Sequence, residues 1–477
     1  MTERLRAQQW AELLLEPGAE ALAGPAVTAN PLDWPGYDDL RADAPGDEAV
    51  RAWAGRAGGL PLVLLAFDFA HLGGSMGAGV GARVAHAFAE AARRRLPVVT
   101  VTATGGARMH EGMVSLAQMT RTTLAARAHR DAGLLQVTVA ADPTTGGVYV
   151  SFAAQADLVV AEPGAYVAFA GPRVAASMGG SAEAADTNRA ESALAHGLVD
   201  AVVPRAELRA WVARALGAVV PAVPVPVAPE PVEPAGGDAW ARVLAARSDA
   251  RPRAQAYLGH FTDVTRLSGD SAGGRDDGVV CALARLHGRP LGLVALDRQP
   301  VTPAGYRTAW RLLSTAERLG LPVLTLVDTP GATPAREAET AGQARAIAET
   351  FDRLAALRTP TVCVITGEGG SGGALALASA DRLLMQRGAV FSVIAPEGAA
   401  AILHRDAERA PEVAERLQPT AERLVALGIA HGLVPDDPAG ALAHAAAALD
   451  ELAGLGPDQL LARRHAHWMA VGGGLGS

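Results

Sequence analysis

Two glycine doublets stand where main-chain groups could do chemistry. In ADPTTGGVYVSFAAQADLVVAEPGAYVAFAGPR, from Ala141 to Arg173, the apolar run Leu134 to Ala140 just upstream reads as a strand. A Pro/Thr turn follows, and Gly146 and Gly147 open a predicted buried helix over Val148 to Ala156. Glycines at a strand-to-helix junction let the backbone approach a ligand. They also leave the first N–H groups of the helix unpaired, so such a corner can hold an anion. TPTVCVITGEGGSGGALALASADRLLMQRGAVFSVIAPEG, from Thr359 to Gly398, repeats the order of strand, doublet (Gly372 and Gly373), helix, strand and proline turn. An enolate or a tetrahedral oxyanion needs donors fixed where its charge develops, and losing one typically costs about 10²- to 10³-fold in rate. The competing reading is that the glycines only permit close helix–strand packing. Recurrence of the doublet in both places favours the oxyanion reading.

Conventional catalytic groups are scarce around the doublets. Ser371 is flanked by glycines, but GEGGSGG is glycine almost throughout and is not a nucleophile elbow. His196 and His431, each beside Gly-Leu-Val, read as turn residues in equivalent places. His110-Glu111 lacks the second histidine of a zincin pair. Gly77, Gly79 and Gly81 follow GxGxG, not the dinucleotide GxGxxG, and read as a tight turn lining a pocket. The chain offers oxyanion stabilisers without an evident side-chain base.

The elements that must position the doublets come in two sets. LPVVTVTATGGA at Leu96 to Ala107 matches LPVLTLVDTPGA at Leu321 to Ala332 with an offset of 225 residues. From Gly146 to Gly372 the offset is 226, and from the AHGLV at Ala195 to its echo at Ala430 it is 235. Ordered matches at nearly one spacing indicate two copies of a domain. Apolar strands in βαβ order predict layered α/β architecture. In the first copy, a short amphipathic helix over 3–16 and a weakly patterned surface segment to Gly59 precede a strand over Leu60 to Phe69. The turn His71 to Gly81 and a helix to about Arg95 follow. A helix from Arg108 sets Met109, Met113, Leu116 and Leu124 at helical spacing, and Met113 and Met119 read as core. VVPAVPVPVAPEPVEPAGG, Val219 to Gly237, predicts an extended polyproline tether. Beyond it come a predicted helical segment from Trp240 to about Leu267, strands Val279 to Leu286 and Leu291 to Leu296, and a helix capped by Thr302-Pro303 with Tyr306, Trp310 and Leu313 on one face. The expected boundaries are a first domain over 1–218, a linker over 219–237 and a second domain over 238–477.

Composition narrows the class. Hydrophobic residues make up 49% of 477, enough for two large cores. A formal net charge of −8, with no basic tract beyond Arg93 to Arg95, argues against a nucleic-acid partner. Lysine is absent, which excludes a Schiff-base or P-loop lysine and any lysine to carry biotin. Cys281 and Cys363 lie too far apart for a zinc ribbon and are too few for a disulfide framework, and Cys363 reads as core. With neither a signal-like apolar stretch nor a membrane-length run, the expectation is a cytoplasmic protein without a membrane partner.

FDFAHLGGSMGAGVG, TATGGARMHEGMVSLAQMTRT, ADPTTGGVYVSFA and AEPGAYVAFAGPRV resemble the β subunit of the bacterial acetyl-CoA carboxylase carboxyltransferase. WARVLAARSDARPRAQAYL, PAGYRTAWRLLSTAERLGLPVLTLVDTPGA, GEGGSGGALALASADRLLM and FSVIAPEGAAAIL resemble its α subunit, so the chain looks like a β–α fusion. The resemblance implies two tandem crotonase-like (ClpP/crotonase) spiral ββα domains, the first β-like and the second α-like. It implies transfer of CO₂ from carboxybiotin, on a separate biotin carboxyl carrier protein served by a biotin carboxylase, to the α-carbon of an acyl-CoA. Acetyl-CoA to malonyl-CoA or a close analogue is the implied conversion, of use to fatty acid or polyketide biosynthesis. Biotin's own ureido group would serve as base, and a homodimer would form each site from a β-type domain and another protomer's α-type domain. By motif, Gly146 and Gly147 would hold the thioester enolate and Gly372 and Gly373 the ureido oxygen, though which pair serves which oxygen stays open. Gly73, Gly74, Gly105, Gly106, Ala107, Arg108 and Gly331 would bind substrate. The chain departs from the family in lacking the β subunit's four-cysteine zinc ribbon, so no zinc is expected, and in a shortened loop between Leu296 and Pro303. The alternatives are a biotin-independent decarboxylase of a malonyl thioester and a non-catalytic assembly subunit.

Overall fold

The computed structural model describes residues 3–27, 30–171 and 188–472, so Pro172, Arg173 and Val174 of the quoted motifs lie outside the described residues. The chain divides into two compact units. One is Met1–Gly217 with Ser271–Gly273, and the other is Ala218–Asp270 with Gly274–Ser477.

The first unit is built on an eight-stranded sheet: β1 (Glu20–Leu22), β2 (Val50–Ala57), β3 (Leu60–Phe67), β4 (Val98–Thr104), β5 (Gln136–Thr145), β6 (Leu158–Ala161), β7 (Val167–Ala168) and β8 (Ala201–Val202). The order is β1-β2-β3-β4-β5-β6-β8, with β7 branching from β5; β1 to β3 pair antiparallel and the rest parallel. Every residue of β4 is buried, as the near-continuous apolar run of a parallel strand covered on both faces requires. Strand β2 falls in the segment expected to be weakly patterned surface. Its half-buried alternation is interrupted by Arg51 and Arg56, which hid it, yet Gly58 and Gly59 at φ 59° and 75° close a two-residue hairpin onto β3.

The second unit repeats this plan with β9 (Phe261–Leu267), β10 (Val279–Leu286), β11 (Arg289–Leu296), β12 (Val323–Thr329), β13 (Thr361–Gly370), β14 (Arg382–Gln386), β15 (Val390–Ser392) and β16 (Gly432–Val434). They are ordered β16-β14-β13-β12-β11-β10-β9, with β15 on β13. The helical segment expected over Trp240 to Leu267 is only partly helical. Helices Ala239–Ala246 and Ala254–Leu258 are followed by β9, whose β-branched Thr262, Val264 and Thr265 suit the pleat. Thr302 does cap the helix Pro303–Arg318, accepting from Gly305 N at 3.3 Å. The proline-rich segment has no regular element. It is held along the second unit, where Val225 N donates to His287 O (2.8 Å) and Arg285 to Val220 O (2.8 Å).

The two units share a backbone construction, and it corrects the register of the repeat. Met76 N donates to Gly106 O and Arg108 N to Met76 O; 225 residues on, Val301 N donates to Gly331 O and Thr333 N to Val301 O. By the same offset Gly146 corresponds to Ser371 and Gly147 to Gly372, so the doublets are displaced by one residue from true equivalence. The AHGLV echo is fortuitous. Asp200 N donates to Val159 O and His431 N to Leu383 O, which pairs His431 with Asp200 and leaves His196 opposite Leu427.

That equivalence explains His431. Asp200 Oδ2 accepts from Val159 N at 2.9 Å, and His431 Nδ1 accepts from Leu383 N at 3.0 Å, so both side chains satisfy the same strand amide. Burial, then the neighbouring His467 ring, its centroid 4.0 Å away and tilted by 30°, pushes His431 down to about 4. The unfolded chain takes up this proton near 6.5 and the folded chain only near 4. Stability contributed by the site is therefore complete above about pH 6.5 and is lost as the pH falls toward 4. His431→Asn, which keeps an acceptor that does not titrate, is expected to shrink the fall in Tm between pH 7 and pH 5 measured by thermal unfolding.

Candidate functional site

In the first unit, the sequence-selected glycines converge on the ends of β4 and β5. Gly105 N donates to Gly73 O (2.9 Å), and Gly74 sits at φ 63° where a Cβ would lie 2.0 Å from Ala103 O. Gly106, at φ 108°, has its N–H on Thr104 Oγ1 (3.0 Å) and its Cα against Gly146, where an added Cβ would meet it at 2.6 Å. Both glycines are required, since neither crossing backbone has room for a side chain. Strand β5 runs directly into the helical turn Gly146–Val148 and a π-helical stretch Tyr149–Ala153, a wider coil than the regular helix expected. Gly146 spends its N–H on Phe169 O (2.9 Å), so it is not a free donor. The N–H groups of Gly147 and Val148, in the first helical turn, have no acceptor among the described residues. Met119 and Met76 close over Gly147, with side-chain atoms 3.2 to 3.4 Å from where its Cβ would stand. Around Gly147 the corner thus sets N–H donors against the apolar walls of Met119 and Met76.

In the second unit Gly331, at φ 127°, takes the place of Gly106, its N–H on Thr329 Oγ1 (3.1 Å). Strand β13 ends at Gly370, and the helix Ser371–Ala378 begins with Ser371 at φ 57°. Gly372 and Gly373 follow, their N–H groups without an acceptor among the described residues. A Cβ on Gly372 would meet nothing within 4 Å, whereas one on Gly373 would strike Ala332 N at 2.5 Å and Tyr306 Oη at 2.8 Å. Tyr306 donates to Gly373 O (3.0 Å) and fixes the turn; burial raises its pKa, so it stays a phenol.

Buried charge holds both corners in place. Arg108 is a correction to the sequence reading. Its backbone belongs to the Met76 bridge, but its guanidinium is 1% exposed and bonded to Glu48 (2.6 Å), Glu111, Tyr37 and Ser75, so it braces the loop and offers nothing to a ligand. Burial alone would raise the Glu48 carboxyl, but Arg108 draws it below the usual range. The Gly77, Gly79 and Gly81 stripe serves the same network rather than a pocket. Added Cβ atoms there would fall 2.2 to 2.3 Å from Glu111, Glu48 and Gln118 oxygens. In the second unit Arg247 bridges Glu368 (2.7 Å) of β13 and Glu397 (2.6 Å), while Asp328 accepts from Glu368 N (3.0 Å) and pairs with Arg298 (2.9 Å). Sequence reasoning missed this clamp because its members are 121 and 150 residues apart. Cys281 and Cys363 are buried in strands and pushed up to about 12 by burial, which leaves no reactive thiol there.

A family described as acetyl co-enzyme A carboxylase carboxyltransferase-like matches residues 237–471. The acetyl-coenzyme A carboxylase carboxyl transferase subunits beta/alpha of Saccharopolyspora erythraea is 42% identical over 95% of this chain and 86% of its own. Its counterpart in Salinispora tropica is 43% identical over 90% and 82%. The chain belongs to the acetyl-CoA carboxylase carboxyltransferase family. Among solved structures, the transcarboxylase 12S core with hydrolyzed methylmalonyl-coenzyme A bound superposes with a TM-score of 0.79 at 22% identity, covering 94% of this chain and 90% of that one. A single-chain, multi-domain long-chain acyl-CoA carboxylase gives 0.74 at 22% identity, over 93% and 46%. At that identity the superpositions speak to the fold, and both units are crotonase-like α/β domains.

Within this family's chain, the helix Gly112–Asp131 overturns the core expected at Met113, while Met119 is partly buried against the cluster that includes Val148 and Phe152. Ser115, Gln118, Thr122 and His129 are buried, while Met109 (82%), Met113 (71%), Leu116 (46%) and Leu124 (64%) are exposed. Arg108→Met strands Glu48 and Glu111 without their cation, so it is expected to cost about 3–5 kcal/mol in urea unfolding.

Proposed function

We propose that this chain is the carboxyltransferase component of a biotin-dependent acyl-CoA carboxylase, moving CO₂ from carboxybiotin on a separate carrier to the α-carbon of an acyl-CoA, acetyl-CoA or a close analogue. The observation that carries the proposal is the duplicated corner, in a member of this family: each unit ends a central strand at a glycine crossing and opens the next helix with N–H groups lacking an acceptor among the described residues. On this reading Gly147, with Val148, donates to the thioester oxygen as the enolate forms. Gly146, Gly106, Gly105, Gly74, Gly73 and Ala107 shape the approach to it. Gly372 and Gly373 donate to the ureido oxygen of the biotinyl substrate, where charge develops as the carboxylate departs, and Gly331 allows that turn. Both sets of donors are held in place by the backbone and need no reorganisation as charge develops, which is the source of their rate effect. Among the described residues the atoms nearest Gly147 are those of Met119 and Met76, and on this reading the ureido group takes the α-proton. The first unit plays the β-type part and the second, which contains most of the matched 237–471, the α-type part.

The partners follow from the same reading: a biotin carboxyl carrier protein, a biotin carboxylase and a second copy of the chain. Support for the homodimer is the outward apolar face of Gly112–Asp131 in one unit and of Val393 (71%), Ile402 (70%) and Leu403 (69%) in the other. Among the described residues no helix is long and apolar enough to cross a membrane.

Incubation with malonyl-CoA and free biotin is expected to give biotin-dependent loss of the carboxylate. Decarboxylation undiminished by avidin would instead identify a biotin-independent decarboxylase. Gly372→Ala places a methyl only where ligand would lie, so it is expected to lower biotin-dependent turnover at least tenfold with an unchanged Tm. Met113→Glu with Leu116→Glu is expected to shift the mass measured by light scattering from dimer to monomer; an unaltered mass would refute the assigned interface.

A further inference from the structure

The two corners differ at one atom group, and the difference is chemical. Gly146 and Ser371 occupy the same position, at φ 63° and 57°, each the first residue of the helix that supplies the donors. Left-handed backbone is free for glycine but costs a side-chain-bearing residue on the order of 1 kcal/mol or more. Glycine would therefore be the expected occupant of both, as it is of the first. At Ser371 the fold instead carries a strained serine whose residue is exposed and whose hydroxyl has no hydrogen-bond partner among the described residues. The residue beside it, Gly372, is exposed with open space where its Cβ would be. Neither packing nor the internal hydrogen bonds among the described residues account for the hydroxyl.

We propose that Ser371 is a specificity-determining residue of the second corner, its hydroxyl accepting the ureido N–H of the biotinyl substrate while Gly372 and Gly373 donate to the adjacent ureido oxygen. The inference rests on the carboxyltransferase reading and deepens it. A ureido group presents a carbonyl oxygen flanked by N–H, so its recognition calls for an acceptor next to donors; a serine hydroxyl is both. A thioester enolate presents an acceptor oxygen between a sulfur and a carbon and no N–H, so the acceptor capacity of a hydroxyl beside it would go unused. The first corner matches that demand, with N–H donors, Met76 and Met119 around Gly147, and no hydroxyl at Gly146. The serine thus supplies a reason, independent of motif matching, for giving the second corner to biotin and the first to the acyl thioester.

The test is a KM split in the malonyl-CoA and free biotin reaction. In Ser371→Ala, KM for biotin is expected to rise about tenfold, the size of one lost hydrogen bond, with KM for malonyl-CoA changed less than twofold. Ser371→Gly is expected to show the same split with a Tm no lower than that of the unaltered chain, since glycine relieves the left-handed strain. A biotin KM unchanged in an active Ser371→Ala, or a rise in both KM values together, overturns the inference and leaves the carboxyltransferase reading standing. An unaltered chain with no biotin-dependent turnover overturns both.

Discussion

The close crossing of two stretches of backbone governs the rest of this molecule. At the end of β4 the turn through Gly106 presses on Gly146, the residue just after β5, and at the end of β12 the turn through Gly331 presses on the end of β13. Contact at Cα distance leaves no space for a side chain, and it forces the following helix to begin abruptly, with its first amides outside any internal ladder. Ordinary helices hide these amides under capping side chains. Here neither helix has a side-chain cap, and the groups remain available to whatever charge approaches.

Stiffness around such a corner matters as much as the donors. A donor set displaced by an ångström no longer meets the developing charge. In the first unit the rigidity comes from the fully buried Arg108, Glu48, Glu111 and Tyr37 cluster, reached by a helix whose glycine stripe lets carboxylates sit against its backbone. In the second it comes from Arg247, Glu368, Glu397, Asp328 and Arg298, and from Tyr306 on the Gly373 carbonyl. The two units preserve the same backbone but stabilise it with different side chains, as expected where backbone geometry carries the function and its supports are free to vary.

The units have also diverged in their surfaces. A helix with serine, glutamine, threonine and histidine inward and methionine and leucine outward inverts the usual amphipathic logic. Inside, Gln118 and Thr122 bond to backbone carbonyls and His129 to Leu96 O, which satisfies the buried polar groups locally. Outside, the apolar side chains are left for another surface to cover.

The sequence alone determined the two-copy α/β plan, the strand-to-helix corners and the capped helix at Thr302, because each depends on local residue type and near-neighbour spacing. The family resemblance was legible from the long corner motifs for the same reason. Only the tertiary structure decided the register of the repeat. Sequence echoes align letters, whereas hydrogen bonds align roles, and by the latter Gly146 matches Ser371 and Asp200 matches His431. It also decided that Arg108 points into the core, that Gly146 has already spent its amide, and that Met113 of Gly112–Asp131 faces outward while Met119 packs over Gly147. Each of these turns on which distant partner satisfies a polar group or covers an apolar one, and a pattern of letters carries no record of what lies across a fold.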